Sequence, residues 1–294
     1  MASLKEIKGR ISSVKSTQKI TSAMKMVASA KLHRAQSHIE RFLPYEKRLT
    51  EILGSFLASE TGFFTPLAET REVGAVAIVA VSSNSSMCGA FNSNIIKLML
   101  QRYWEYRKTL PAEKIFIYPV GKKMEEALRK EEIAAAGSYI SLIDKPDFDT
   151  ARGLADGLVA DFLDKKIDRV ELVYNHFKST AVQVPTVGCL LPVELALEGE
   201  AVDETKTLAV DYIIEPDRKT IIESLIPKSL RTKMYTVILD SAAAEQAARM
   251  LAMQIATDNA EELLDELSIQ FNKQRQQAIT SELLDIIGGS EALK

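Results

Sequence analysis

The chain has 294 residues, 46% of them hydrophobic, and a formal net charge of −3 at pH 7. That length suits one or two domains with a full core, and the longest apolar run, Val73 to Val81, is too short to cross a bilayer. Cys88 and Cys189 fit neither a disulfide framework nor a zinc spacing, which points to a reducing compartment, and the N-terminus lacks the apolar core of a signal segment.

In chain order, the first element is a long helix. Its seam runs Leu4, Ile7, Ile11, Val14, Gln18, Thr21, Lys25, Ala28, Leu32, Ala35, Ile39 and Phe42, every step three or four residues. Pro44 is expected to kink or break it, after which Leu49, Leu53 and Phe56 resume the register. Thr61 to Thr70 reads as a linker. A buried strand follows at 74–81, then a polar loop at 82–89, a helix at 91–108 closed by Pro111, a strand at 114–120 and a helix at 122–136 ended by Gly137. A short strand is expected at 139–143 and a helix at 149–166 capped by Asp149 or Thr150. Strands at 169–177 and 182–193 come next, the second an edge strand because of Pro185 and Pro192. An acidic loop covers 194–207, and a last strand is expected at 208–214, before Glu215-Pro216-Asp217 opens the C-terminal helix. Alternation of strands and helices predicts an α/β, Rossmann-like domain with a largely parallel sheet.

From Lys228 to Ile287 there is neither Pro nor Gly. One helix of that length would be roughly 90 Å long, too long for a compact domain to bury by itself. Its seam runs Met253, Thr257, Ala260, Leu264, Leu267, Phe271, Gln274 and Ala278. Residues 1–43 carry nine Lys/Arg against Glu6 and Glu40, whereas residues 240–285 carry nine Asp/Glu against Arg249, Lys273 and Arg275. Matching seams and opposite charges predict an antiparallel coiled coil of the two chain ends, 1–60 with 215–294, around an α/β domain at 70–214. Ile279, Leu283, Ile286 and Ile287 form a terminal apolar stripe, and Gly288-Gly289 reads as a helix stop.

Catalytic chemistry is missing from the pattern. The loop Ser82-Ser83-Asn84-Ser85-Ser86-Met87-Cys88-Gly89 is no glycine-rich phosphate loop, and Gly121-Lys122-Lys123 reads as a helix start. His33, His38 and His176 fall on the first helix and a late strand, away from Cys88, and no carboxylate cluster has metal-ligand spacing. Catalytic, cofactor and metal sites are therefore all expected to be absent. Nucleic acid is not an expected partner either: the basic residues ring the first helix, no aromatic lies among them before Phe42, and an acidic partner exists in the same chain. One anomaly stands out. Where the first seam turns polar at Gln18, Thr21 and Lys25, a second apolar stripe, Ile20, Met24 and Val27, appears on another face. It marks either a register shift in the coiled coil or a contact with a third body.

At these residues the chain resembles a known family. Ile20-Thr21-Ser22-Ala23-Met24-Lys25-Met26-Val27-Ala28 with Lys31-Leu32, and Ala252 to Ala260 continued by Phe271 to Thr280 and Ile287-Gly288-Gly289, resemble the end signatures of the gamma subunits of F-type ATP synthases. Asp211 to Asp217 looks like that family's entry to the C-terminal helix. The loop departs from the family's usual Ser-Asp-Arg-Gly-Leu-Cys-Gly: Ser83-Asn84-Ser85-Ser86-Met87-Cys88-Gly89 stands there, with a charged pair lost. The resemblance implies a non-catalytic central rotor shaft. Its implied partners are an alpha3beta3 hexamer, the epsilon subunit and the membrane c-ring, at the cytoplasmic face of the inner membrane. It further implies hexamer contacts at Ile20, Met24, Lys25, Val27, Arg275, Gln276 and Thr280. An apolar collar would meet Ile279, Leu283, Ile286 and Ile287, and the ring or epsilon would meet Tyr212 and Glu215. An α/β enzyme with helical dimerisation arms, or a coiled-coil scaffold without rotation, are the rival classes.

Overall fold

Strand β1 (Val76–Val81) is apolar at every position because both of its faces are covered. In the computed structural model, which describes residues 3–59, 65–193, 215 and 217–291, β1 lies between β2 (Ile115–Val120) and β3 (Arg169–Phe177) and is parallel to both. β4 (Gln183–Leu191) is the antiparallel edge strand beside β3, so the order is β2-β1-β3-β4. The strand's two-residue alternation divides the core. Val76, Ile78 and Ala80 pack with Ile95 and Met99 of α2 (Phe91–Arg107) and with Met124 and Leu128 of α3 (Lys122–Lys130). Ala77, Val79 and Val81 pack with Leu154, Leu158 and Phe162 of α5 (Phe148–Leu163).

The α5 face also takes in the terminal helices. Leu49 and Leu53 of α1 (Leu4–Ser59) and Ile222, Ile226, Leu230, Met234 and Ile238 of α6 (Arg218–Glu291) belong to that core. The four-residue spacing of the α6 set gives one continuous apolar stripe along the helix. By contacts the chain forms two units, Ala30–Ala248 and Met1–Ser29 with Arg249–Lys294. The fold class read from the sequence, an inserted α/β domain with long paired terminal helices, is the observed one.

Several local expectations need correction. Pro44 does not break α1, which is helical through it. Proline removes one backbone bond at a cost of about 3 kcal/mol. Packing on both sides of it offsets that cost: Phe42 meets the Tyr235 ring edge-on at 5.3 Å, and Leu49 and Leu53 are buried. Gly288-Gly289 does not stop α6, whose helix runs to Glu291. The segment 139–143 is not a strand. It leads into a short helix, α4 (Ser141–Asp144), with Leu142 and Ile143 buried. α3 ends at Lys130, six residues early, because Glu132 takes a left-handed conformation with φ 58° and Ala135 then bridges to Ile117 of β2. The cap of α5 is Asp147, whose side chain accepts from the Thr150 N–H at 2.8 Å. That same backbone N–H holds the Asp147 carboxyl below its usual range. The strand expected at 208–214 and the acidic loop at 194–207 lie outside the described residues.

Candidate functional site

The paired arms present the surface on which the expected contacts fall. Thr21 Oγ1 and Thr257 Oγ1 are 2.8 Å apart. Each hydroxyl also reaches a carbonyl of its own helix, Gln18 at 3.0 Å and Met253 at 2.8 Å. A hydroxyl has one proton, so one threonine donates across the interface while the other donates back along its helix. Counting outward from this pair in opposite directions sets Gln18 against Ala260, Val14 against Leu264, Ile11 against Leu267, Ile7 against Phe271 and Leu4 against Gln274. Counting the other way sets Lys25 against Met253. Every one of these positions is withdrawn from solvent, in a stretch where most flanking residues are exposed. Both seams are thus parts of one antiparallel interface in unbroken register. The polar rungs Gln18, Thr21 and Lys25 are seam positions, so the second apolar stripe is not a register shift.

The opposite charges of the arms work at longer range than expected. Among the described residues, no ion pair joins the basic side chains of 3–29 to the acidic side chains of 258–285. Their attraction is diffuse and screened by salt.

The stripe residues flank the seam without joining it. Ile20 and Val27 remain 59% and 57% exposed, while Met24 and Lys25 are half-buried. Arg275, Gln276 and Thr280 are exposed on α6 but lie at another level. In the observed register Met24 stands level with Gln254, about 20 residues or roughly 30 Å along the helix from Arg275 and Gln276. The structure therefore does not bring these two groups together beside one stripe. Gln274 faces Leu4, the first residue of α1, so among the described residues no α1 position stands level with the α6 terminus. Ile279, Leu283, Ile286 and Ile287 are all 46–69% exposed. Glu215 is exposed, and Tyr212 lies outside the described residues. Sequence reading missed Met26, Ile255 and Ile269, which are equally exposed. Their signal was apolar character at positions the seam does not use.

The place where a nucleotide fold would hold phosphate is filled by the chain itself. At the N-terminus of α3, the Lys122 N–H donates to Asn84 Oδ1 at 2.8 Å, the Lys123 N–H to the Ser83 carbonyl at 3.0 Å and the Met124 N–H to Ser82 Oγ at 2.8 Å. These are the donors an anion would need. Gly121, at φ 100°, packs so close to the Ser82 carbonyl that a Cβ would collide with it. The departure at Asn84 has a local reason. Its Nδ2 donates to Asp144 at 2.6 Å and to the Ile140 carbonyl at 2.8 Å, bonds an aspartate could not make. Cys88 is buried against Asn92 Nδ2 at 3.2 Å, and His176 is paired with Asp240 at 2.6 Å. Among the described residues no cluster of His, Cys, Asp and Glu has the geometry of a metal site.

Comparison with known proteins decides the family. A family model described as ATP synthase matches residues 3–293. A protein of Bacteroides fragilis named ATP synthase gamma chain is 56% identical over 293 residues, covering 99% of this chain and all of the relative. One of Phocaeicola vulgatus with the same name is 53% identical over 292 residues, at 99% and 100% coverage. The chain belongs to the ATP synthase gamma-chain family. A chain in the Euglena gracilis mitochondrial ATP synthase, solved as OSCP, F1 and c-ring, shares the fold. Its TM-score is 0.68 and its identity 20%, over 99% of this chain and 94% of that one. A second, from the rotor of the same enzyme, has TM-score 0.66 and 18% identity, over 94% and 98%. Membership makes the chain a non-catalytic subunit, in keeping with an α3 N-terminus that has no donors left for phosphate. Among the described residues no helix is long and apolar enough to cross a membrane.

Proposed function

We propose that the chain is the central rotor shaft of an F-type ATP synthase, coupling ion-driven rotation of a membrane ring to the cycling of catalytic sites on a surrounding alpha3beta3 hexamer. The observation that carries this reading is the full-length match to gamma chains at more than half identity. Residues 1–60 and 215–294 act as the coiled-coil shaft and 70–214 as the α/β domain. The chain is peripheral, held at the cytoplasmic face of the inner membrane through its partners. Glu215 and Tyr212 meet the epsilon subunit or the c-ring.

The arm surface supports a mechanism of weak, moving contacts. Ile20, Met24 and Val27, with Lys25, face the hexamer wall at one level. Arg275, Gln276 and Thr280 meet it at a second level, and Ile279, Leu283, Ile286 and Ile287 turn in an apolar collar. A shaft that presents different side chains in different directions changes the relative stability of open and closed states at each catalytic site as it turns. Exposed charged contacts of roughly 0–1 kcal/mol let it slide between positions.

The test is Met24→Lys in the assembled complex. If carboxylates line the facing hexamer wall, a lysine at this half-buried position adds an ion pair that releases poorly on rotation. ATP hydrolysis should persist while the pumping driven by it falls, and high salt should restore part of the coupling. An unchanged ratio of pumping to hydrolysis in membrane vesicles, at both low and high salt, would remove the stripe from the hexamer contact.

A further inference from the structure

One recess within the unit Ala30–Ala248 has no role in the shaft reading. It is a cavity of about 350 Å³ between α1, the α4–α5 connection and α6. Two cations of α1, Lys31 and Arg34, line one side with the imidazole of His38, and their spacing puts all three on one helix face. Lys145 lines the opposite side. The floor is apolar, from Tyr235, Leu239 and Ala242 of α6.

Charge balance in the recess is lopsided. Among the described residues, none of Lys31, Arg34, His38 and Lys145 forms an ion pair or side-chain hydrogen bond. The recess holds one carboxylate, Asp144, and that group accepts a 2.6 Å bond from Asn84 Nδ2. Gln246 adds a donor. Its side-chain amide carries two N–H groups and lines the recess. Cations, one amide donor and an aromatic-aliphatic floor match a ligand with a compact anionic head and an apolar body.

We infer that this recess is a binding site for a small organic phosphate, its phosphate held by Arg34, Lys31 and Lys145 and its body laid on Tyr235 and Leu239. The site is separate from the α3 N-terminus and needs no partner subunit. Its volume is that of a small-molecule pocket. Arginine supplies the two-pronged phosphate contact, and the lysines supply point charge.

The experiment is titration calorimetry on the purified full-length chain with two probes, phenyl phosphate and inorganic phosphate, at low and physiological salt. Phenyl phosphate should bind, more tightly than inorganic phosphate because it also covers the apolar floor. Arg34→Gln should weaken it about tenfold or more, as loss of one charge-assisted bidentate contact does. Lys5→Gln, a surface cation on the same helix outside the recess, should leave affinity unchanged. Both positions are exposed, so circular dichroism should report unaltered folding. No binding of phenyl phosphate at millimolar concentration would overturn the proposal. So would equal weakening by Arg34→Gln and Lys5→Gln, which would mean diffuse attraction to a basic helix. Equal affinity for the two probes would overturn the role of the floor. None of these outcomes bears on the rotor reading, which is tested by coupling in the assembled complex.

Discussion

The α/β body and the paired arms are built from overlapping helices, yet they bury residues in opposite styles. In the body, β1 is covered on both faces, and even a carboxylate is enclosed. Glu171, 1% exposed, accepts from Arg102 at 2.6 and 3.1 Å, Tyr106 at 2.7 Å and Arg169 at 3.0 Å. Burial and this carboxylate together push the Tyr106 hydroxyl well above its ordinary pKa. In the arms, one narrow seam is buried, several of its rungs are polar or small, and large apolar side chains such as Met26 and Ile269 face outward. A core packed on both faces, with its buried carboxylate bonded on several sides, fixes a shape from within. A two-helix seam with an apolar exterior gains much of its stability only when something else covers that exterior.

The sharpest test of the contrast is the largest. Phe162 is fully buried in the body and carries the Arg71 guanidinium 4.4 Å from its ring centre. Phe162→Ala should destabilise the body by about 3–5 kcal/mol, read as a lower urea midpoint at unchanged slope. Leu267 is buried in the arm seam opposite Ile11. Leu267→Ala should cost less, about 2 kcal/mol, because a thin seam relaxes around the gap. It should show in hydrogen exchange as faster opening of the arm amides, with β1 and β3 protected as before. A shift in β1 protection as large as that in the arms would mean that the two regions unfold as one.

A smaller effect isolates the polar rung. In a double-mutant cycle, Thr21→Val and Thr257→Val should show a coupling energy of about 1 kcal/mol, since either change alone removes the bond across the seam. Zero coupling would make the rung a spacer and nothing more. The smallest effect concerns Glu46 of α1. Burial raises its pKa, an effect partly offset by the hydrogen bond from Thr236 at 3.3 Å. A carboxylate whose folded pKa is raised costs stability when ionised. That cost is absent at low pH and sets in as pH rises through the titration range. Glu46→Gln should therefore stabilise the chain at pH 7 and have no such effect at acid pH, measured by thermal melts across that range. Equal stabilisation at both pH values would mean that ionisation of Glu46 plays no part.

The sequence by itself determined most of the secondary structure and the pairing of the chain ends. Periodicities of two and 3.6 are written into residue order, so β1, β3 and both seams were readable at nearly residue precision. The seam positions from Leu4 to Lys25 on α1 and from Met253 to Gln274 on α6 are all withdrawn from solvent. Pro185 and Pro192 likewise announced an edge strand. Tertiary structure decided what local preference could not. Pro44 is helical because packing beside Tyr235 outweighs the lost backbone bond. The segment 139–143 ends in a helix because Leu142 and Ile143 bury in the α5-side core. The levels of Met24 and Arg275 are set by the register between two chains of side chains, which neither helix carries alone. The α3 N-terminus is closed by Ser82, Ser83 and Asn84, some 40 residues earlier in the chain, and the recess beside Arg34 exists only where α1, α6 and the α4–α5 connection converge. Each of these depends on contacts distant in sequence, and a periodicity records only which face of an element is apolar, not what that face will meet.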